Sequence, residues 1–112
     1  MLKRTKNKSK LINLNKKVSK HLPILTGQPD NYCLQAGLVT LQPKKSVGKH
    51  STENYEELLI VLAGKGKVEI NGKRSLPIKP NVAVYHPPHT EHNVINTGTE
   101  LLKYIYIVTK VI

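Results

Sequence analysis

From residue 22 onward the sequence breaks into short apolar runs, each closed by a turn signal. No stretch carries the 3.6-residue periodicity of a strongly amphipathic helix. "YCLQAGLVTLQP" stops at Pro43, and "ELLIVLAG" stops at Gly64. In "KVEINGKRSLPI", Val68 and Ile70 alternate with Lys67 and Glu69, then Asn71-Gly72 supplies a hairpin signal. That dipeptide suits a type I′ turn, which needs positive φ at both central residues. "NVAVYH" alternates and runs into Pro87-Pro88, which cannot continue a central strand. "HNVINTG" is a further short strand with a turn after it, and "LLKYIYIVTKVI" closes the chain with β-branched and aromatic residues. Many short strands with turns between them predict an all-β sandwich or barrel. Residues 10 to 20 are the one place where a short helix is admissible.

A chain of 112 residues is sized for one domain with a core that needs no disulfides. Trp and Phe are absent, so Ile, Leu, Val and five Tyr must fill that core. The single cysteine, Cys33, cannot form an internal disulfide, and with no flanking base it reads as an inert packed residue. No apolar run is long enough to span a bilayer, and none follows the basic N-terminus as a secretory leader requires. The expected location is cytoplasmic, with no membrane partner.

Charge is distributed unevenly. Residues 1 to 20, "MLKRTKNKSKLINLNKKVSK", hold eight Lys or Arg and no acid. Residues 21 to 112 hold ten Lys or Arg against seven Asp or Glu. The chain therefore divides into a flexible basic N-terminal extension, 1–20, and a barrel domain, 21–112. Nucleic-acid binding by the extension is disfavoured, because no aromatic residues are interleaved with its cations to stack on bases.

Two stretches carry chemistry: "GKHSTENYEELLIVLAGKG", Gly48 to Gly66, and "NVAVYHPPHTEHNVIN", Asn81 to Asn96. Together they resemble the two motifs of the cupin superfamily, and the chain is similar to its small single-domain, cupin 2-like conserved-barrel members. His50 matches the first histidine of the first motif, Glu57 its acid and Gly64 its closing glycine, six residues beyond Glu57. Pro87, His92 and Asn96 match the proline, histidine and asparagine of the second. The resemblance spans about residues 34 to 110. It implies a double-stranded β-helix of the jelly-roll type with a divalent metal ion (Fe, Mn, Ni or Zn) at its centre, and a homodimer. "YIYIVTKVI" is the expected interface or edge element.

The departures are as informative as the matches. Lys44, Asn81 and His89 stand where the family has glycine; Asn and His tolerate positive φ, so those turns stay feasible. Thr52 stands where a second ligand histidine is usual. The implied metal set therefore shrinks to His50, Glu57 and His92. Two histidines and one carboxylate suit a non-haem Fe(II) triad or an open Zn site. Glu56 is the rival carboxylate, and since adjacent strand residues face opposite ways, only one of the pair points inward. Loss of one ligand also leaves open a weakly metallated or metal-free pocket.

His86 shares a strand face with Val82 and Val84 and is expected to be a satisfied, partly buried histidine. Its alternative roles are a substitute ligand or, like Tyr85, an acid or base. His89 belongs in an exposed turn. Asn96 is expected to make a structural turn bond. Tyr85, Tyr104 and Tyr106 are expected to fill the core or line the barrel, and His21 carries no signal. The resulting expectation is a small barrel that binds an unidentified small molecule at a metal. In its enzymatic form the metal activates dioxygen or polarises a carbonyl for isomerisation or decarboxylation. A non-catalytic ligand-binding or sensing barrel with weak or no metal is the alternative, and nucleic-acid contact through the basic N-terminus is its further option.

Overall fold

The computed structural model describes residues 8–15 and 20–111. Among the described residues it contains nine strands and no helix. They are β1 (His21–Thr26), β2 (Gln35–Leu41), β3 (His50–Ser51), β4 (Tyr55–Ala63), β5 (Gly66–Ile70), β6 (Arg74–Ile78), β7 (Ala83–His86), β8 (Glu91–Asn96) and β9 (Leu102–Lys110). One sheet orders them β1-β2-β9-β4-β7 and the other β3-β8-β5-β6, with every pairing antiparallel. This is the expected all-β jelly roll.

Period-two alternation sends one side of each strand into the space between the sheets. On β4 the inward residues are Glu57, Leu59 and Val61; on β8 they are His92, Val94 and Asn96. β7 contributes Val84 and His86, and β9 contributes Leu102, Tyr104 and Tyr106. Leu59, Val61, Val68, Val94 and Leu102 are each at most 2% exposed. Fully burying such a side chain is worth about 1.5–3 kcal/mol. The same registers put His86, Glu57 and His92 at one end of the barrel and mostly aliphatic side chains, with Asn96, at the other. The core therefore seals one end, and the polar end holds the site.

Asn96 fixes the sealed end. Its Nδ2 donates to the carbonyls of Leu41 (2.9 Å) and Glu100 (2.8 Å), and its Oδ1 accepts from the Gly98 amide. This is the structural turn role anticipated for it. Gly64 has φ +83°, and a Cβ there would lie 2.3 Å from the Leu101 carbonyl oxygen, so only glycine lets the two segments approach. The residues standing in for family glycines do adopt positive φ: Lys44 68°, Asn81 72° and His89 55°. Asn71 and Gly72, at 53° and 63°, make the anticipated hairpin turn between β5 and β6.

Three expectations change. β9 is not an edge: it lies between β2 and β4, which explains why its sequence is apolar almost throughout. β1 was hidden because Pro23 interrupts a short run, which an edge strand tolerates. The admissible helix does not occur over the described residues 10–15, and residues 16–19 lie outside the described set. There, Lys10 instead pairs with Asp30 at 2.7 Å, holding that acid's pKa below the usual carboxylate range.

Candidate metal centre

Two cross-strand pairs build the site, one from each sheet. His50 on β3 lies directly opposite His92 on β8, and Glu57 on β4 lies directly opposite His86 on β7. Directly opposed residues share a face, so all four side chains are directed between the sheets. The ring centroids of His50 and His92 are 4.2 Å apart, and those of His86 and His92 are 4.1 Å apart in a stack.

The two pinned histidines are oriented by their own strands. His50 Nδ1 donates to the Gly48 carbonyl at 2.9 Å, and His92 Nδ1 donates to the Thr90 carbonyl at 3.1 Å. A carbonyl only accepts, so Nδ1 carries the proton and each Nε2 is left with its lone pair when the ring is neutral. Fixing the distal nitrogen in this way is how proteins present imidazole to a metal. One ligand atom from each of His50, Glu57 and His92 lies within 4.8 Å of the others. This donor set fits a divalent ion, with two preset imidazole nitrogens and one carboxylate.

Without an ion, Glu57 and His92 satisfy each other: Oε1 and Nε2 are 2.8 Å apart. Burial pushes the His92 ring down, but the Glu57 hydrogen bond, the Thr90 carbonyl and the Glu57 charge together raise its pKa above the ordinary value. Glu57 and His92 are buried, whereas His50 is exposed. The site is therefore shielded at Glu57 and His92 and open at His50. β3 is a two-residue edge strand, so His50 sits at the rim and forms part of the mouth.

Glu56 and Glu57 separate as strand alternation demands. Glu57 turns inward, while Glu56 lies outside and accepts a 2.9 Å hydrogen bond from Tyr85. Tyr85 is 56% exposed, so it neither fills the core nor reaches the site as an acid or base. It sits one residue out of phase with inward-facing Val84 and His86. Its hydrogen bond to Glu56 raises its pKa.

Thr52 is buried, and its hydroxyl is fully engaged. Oγ1 donates to the Pro87 carbonyl at 2.8 Å and accepts from the Thr90 amide at 3.0 Å. Where the family has a ligand, this chain has a clamp that ties the β3–β4 connection to the Pro-Pro turn. "HPPHTEH" thus resolves into three different histidines. His89 is exposed in the turn, as anticipated. His92 faces Glu57. His86 is 1% exposed, and its Nε2 is buried with no hydrogen-bond partner, so it is not the satisfied histidine expected. Burial, helped by the charge of His92, lowers its pKa to about 4, so the ring is neutral at physiological pH.

Above the three ligand candidates opens a cavity of about 420 Å³. Val39, Val47, Tyr104 and Val108 give it apolar walls, and Gln35, Ser51, Tyr55 and Tyr106 add polar groups. Burial, then the Glu57 charge, raises the pKa of both Tyr104 and Tyr106. His21 on β1, which carried no signal in the sequence, supports this wall through Tyr106: its Nε2 lies 2.6 Å from the Tyr106 hydroxyl. Gly37 makes the contact feasible, since a Cβ there would come within 2.6 Å of both groups. The sequence hides the arrangement because its three members lie on three strands. Cys33 is exposed and not packed, because it falls in the connection between β1 and β2 and not within a strand.

The comparisons with known proteins agree with this fold. The Cupin domain family matches residues 37–108. The chain is 34% identical to a glucose-6-phosphate isomerase of Pyrococcus abyssi over 55 residues, which is 46% of this chain and 29% of that enzyme. The likeness thus spans less than a third of that curated relative. A Bacillus halodurans structure superposes with a TM-score of 0.81 at 23% identity, covering 94% of this chain and 83% of that one. An RmlC-like cupin family protein with a double-stranded β-helix fold, from Methanocaldococcus jannaschii, superposes with a TM-score of 0.75 at 15% identity, over 94% and 92%. The family match contains every strand from β3 to β8 and both stretches that carry the histidines and Glu57, and the chain therefore belongs to the cupin family.

Proposed function

We propose that this cupin holds a divalent metal ion through His50, Glu57 and His92 and binds a small molecule in the cavity above it. The observation that carries this reading is the convergence of three ligand atoms within 4.8 Å, with the Nδ1 atoms of both imidazoles held by backbone carbonyls so that each Nε2 faces the cluster. A divalent ion, Fe, Mn, Ni or Zn, supplies a Lewis acid at the base of the cavity. The chain's own residues do the rest. Gly48 and Thr90 hold the ligand rings by their carbonyls, and Thr52 holds the turn that carries Thr90. Val39, Val47 and Tyr104 keep water off one side of the ligand. The Tyr106 hydroxyl, held by His21, offers a polar contact on the wall. The likeness to a glucose-6-phosphate isomerase supports isomerisation as one reaction class for such a site.

Metal analysis of protein purified without a His tag or added ions tests the proposal. The expected result is close to one divalent ion per chain, lost in His92→Ala and reduced in His50→Ala. Equal metal in wild type and His92→Ala would overturn it. A second reading is a non-catalytic ligand-binding barrel without metal. The 2.8 Å contact between Glu57 and His92 favours it, because the two groups already satisfy each other. That reading predicts no metal in any of the three proteins and ligand binding that chelators leave unchanged.

A further inference from the structure

His21 and Tyr106 touch although their strands are not neighbours. His21 belongs to the edge strand β1 and Tyr106 to β9, with β2 between them. They meet over Gly37, which pairs directly with Tyr106. A Cβ on Gly37 would lie 2.6 Å from both His21 Nε2 and the Tyr106 oxygen, so the missing side chain is what lets them meet. The product is a 2.6 Å hydrogen bond between an imidazole and a phenol, with ring centroids stacked 5.7 Å apart. Its two ends lie in different surroundings. Tyr106 is half-buried and lines the cavity, whereas His21 is exposed to solvent.

We propose that Tyr106 is the proton-transfer residue of this cavity and that His21 is the positioning residue linking its hydroxyl to solvent. The proposal rests on the metal reading above and adds the acid–base partner that the ligand set lacks. Glu57, His50 and His92 converge as ligands, so their lone pairs are committed to the ion. A phenol stays protonated at neutral pH, and alone its oxygen is a weak base. Beside a neutral imidazole the hydroxyl donates to the Nε2 lone pair, and the phenol oxygen keeps its own lone pairs for the cavity.

The step this pair performs is removal of a proton from carbon beside a carbonyl. The C–H proton passes to the Tyr106 oxygen as the Tyr106 proton passes to His21 Nε2. The C–H electron pair becomes a carbon–carbon π bond, and the carbonyl π pair moves onto its oxygen. Nothing is oxidised or reduced. The imidazolium trades its proton with water, and the reverse path returns a solvent proton to carbon.

The test uses zinc-loaded protein in D2O with hydroxyacetone as the probe, and proton NMR follows exchange at the carbons beside its carbonyl. Wild type should exchange them faster than an equal concentration of free zinc. Tyr106→Phe keeps the ring and should slow exchange by about 100-fold with KM within about threefold. His21→Ala should slow it by about tenfold, and added imidazole, which can reach this exposed position, should restore most of the loss. Imidazole added to wild type sets the baseline. Tyr85→Phe, on the solvent side, should exchange at the wild-type rate. A second readout needs neither metal nor turnover: the His21 Nε2 nitrogen resonance of metal-free protein should move in Tyr106→Phe as the hydrogen bond is lost. Exchange no faster than with free zinc, Tyr106→Phe or His21→Ala at the wild-type rate, no rescue by imidazole, or an unmoved His21 resonance would each overturn the proposal. Zinc content is measured on every sample. A protein that takes up no zinc refutes the metal reading and this inference with it; a loaded protein that fails any of these tests refutes this inference alone.

Discussion

His86 makes a sharp prediction about acid stability in metal-free protein. It is 1% exposed, its Nε2 has no partner, and burial lowers its pKa from 6.5 to about 4. Between those two values the unfolded chain takes up a proton that the folded chain refuses. Stability from this group is therefore fully present above about 6.5 and is lost as pH falls toward 4. At about 1.36 kcal/mol per pH unit, the loss reaches about 2.5 kcal/mol by about pH 4.5. His86→Leu, which keeps roughly the side-chain volume, removes this penalty. His92 acts with the opposite sign: its folded-state pKa is raised, so its contribution is present below 6.5 and fades as pH rises through the elevated value. Both proteins keep His92, so the difference between them reports His86 together with its coupling to the stacked His92 ring. Urea unfolding of EDTA-treated wild type and His86→Leu from about pH 7.5 to 4.5 reads that difference. The variant should gain about 2.5 kcal/mol on wild type across the range, which is roughly 1–2 M in the urea midpoint. A difference that stays flat with pH would show that His86 finds a proton partner in the folded state, and the reasoning would fail.

Asn96→Ala removes three hydrogen bonds, one buried and two partly buried, and should cost about 3 kcal/mol, read as a lower urea midpoint with an unchanged slope. Glu57→Gln should abolish metal uptake while Glu56→Gln leaves it within about twofold, as measured by zinc titration; the reverse pattern would reassign the carboxylate. Gly64→Ala should destabilise by at least about 2 kcal/mol, because φ +83° and the Leu101 carbonyl both oppose a side chain. Tyr85→Phe should leave the melting temperature and metal uptake unchanged, since its hydrogen bond to Glu56 lies on the solvent side.

Much of the site was legible because it rests on strand parity. Alternation lets only one of Glu56 and Glu57 face inward, the spacing to Gly64 selects Glu57, alternation puts His86 on the face of Val84, and Pro87-Pro88 marks where β7 must end. The turn residues were legible too, since Asn71, Asn81 and His89 belong to types that accept positive φ. What escaped depends on register between distant strands. Nothing local to His21 announces Tyr106, 85 positions away, or the Gly37 that gives both of them room. Thr52 reads locally as a lost ligand, and only the fold shows its hydroxyl tied to Pro87 and Thr90. The exposure of His50 follows from β3 being a short edge strand, and sheet order is not written in a two-residue segment.

The most direct measurement is anomalous diffraction at the absorption edge of the metal found in crystals of the untagged protein. The account predicts one strong peak about 2.1 Å from the Nε2 atoms of His50 and His92, with a Glu57 carboxylate oxygen at a similar distance. A crystal with no anomalous peak among these three side chains, or with its peak elsewhere, would contradict it.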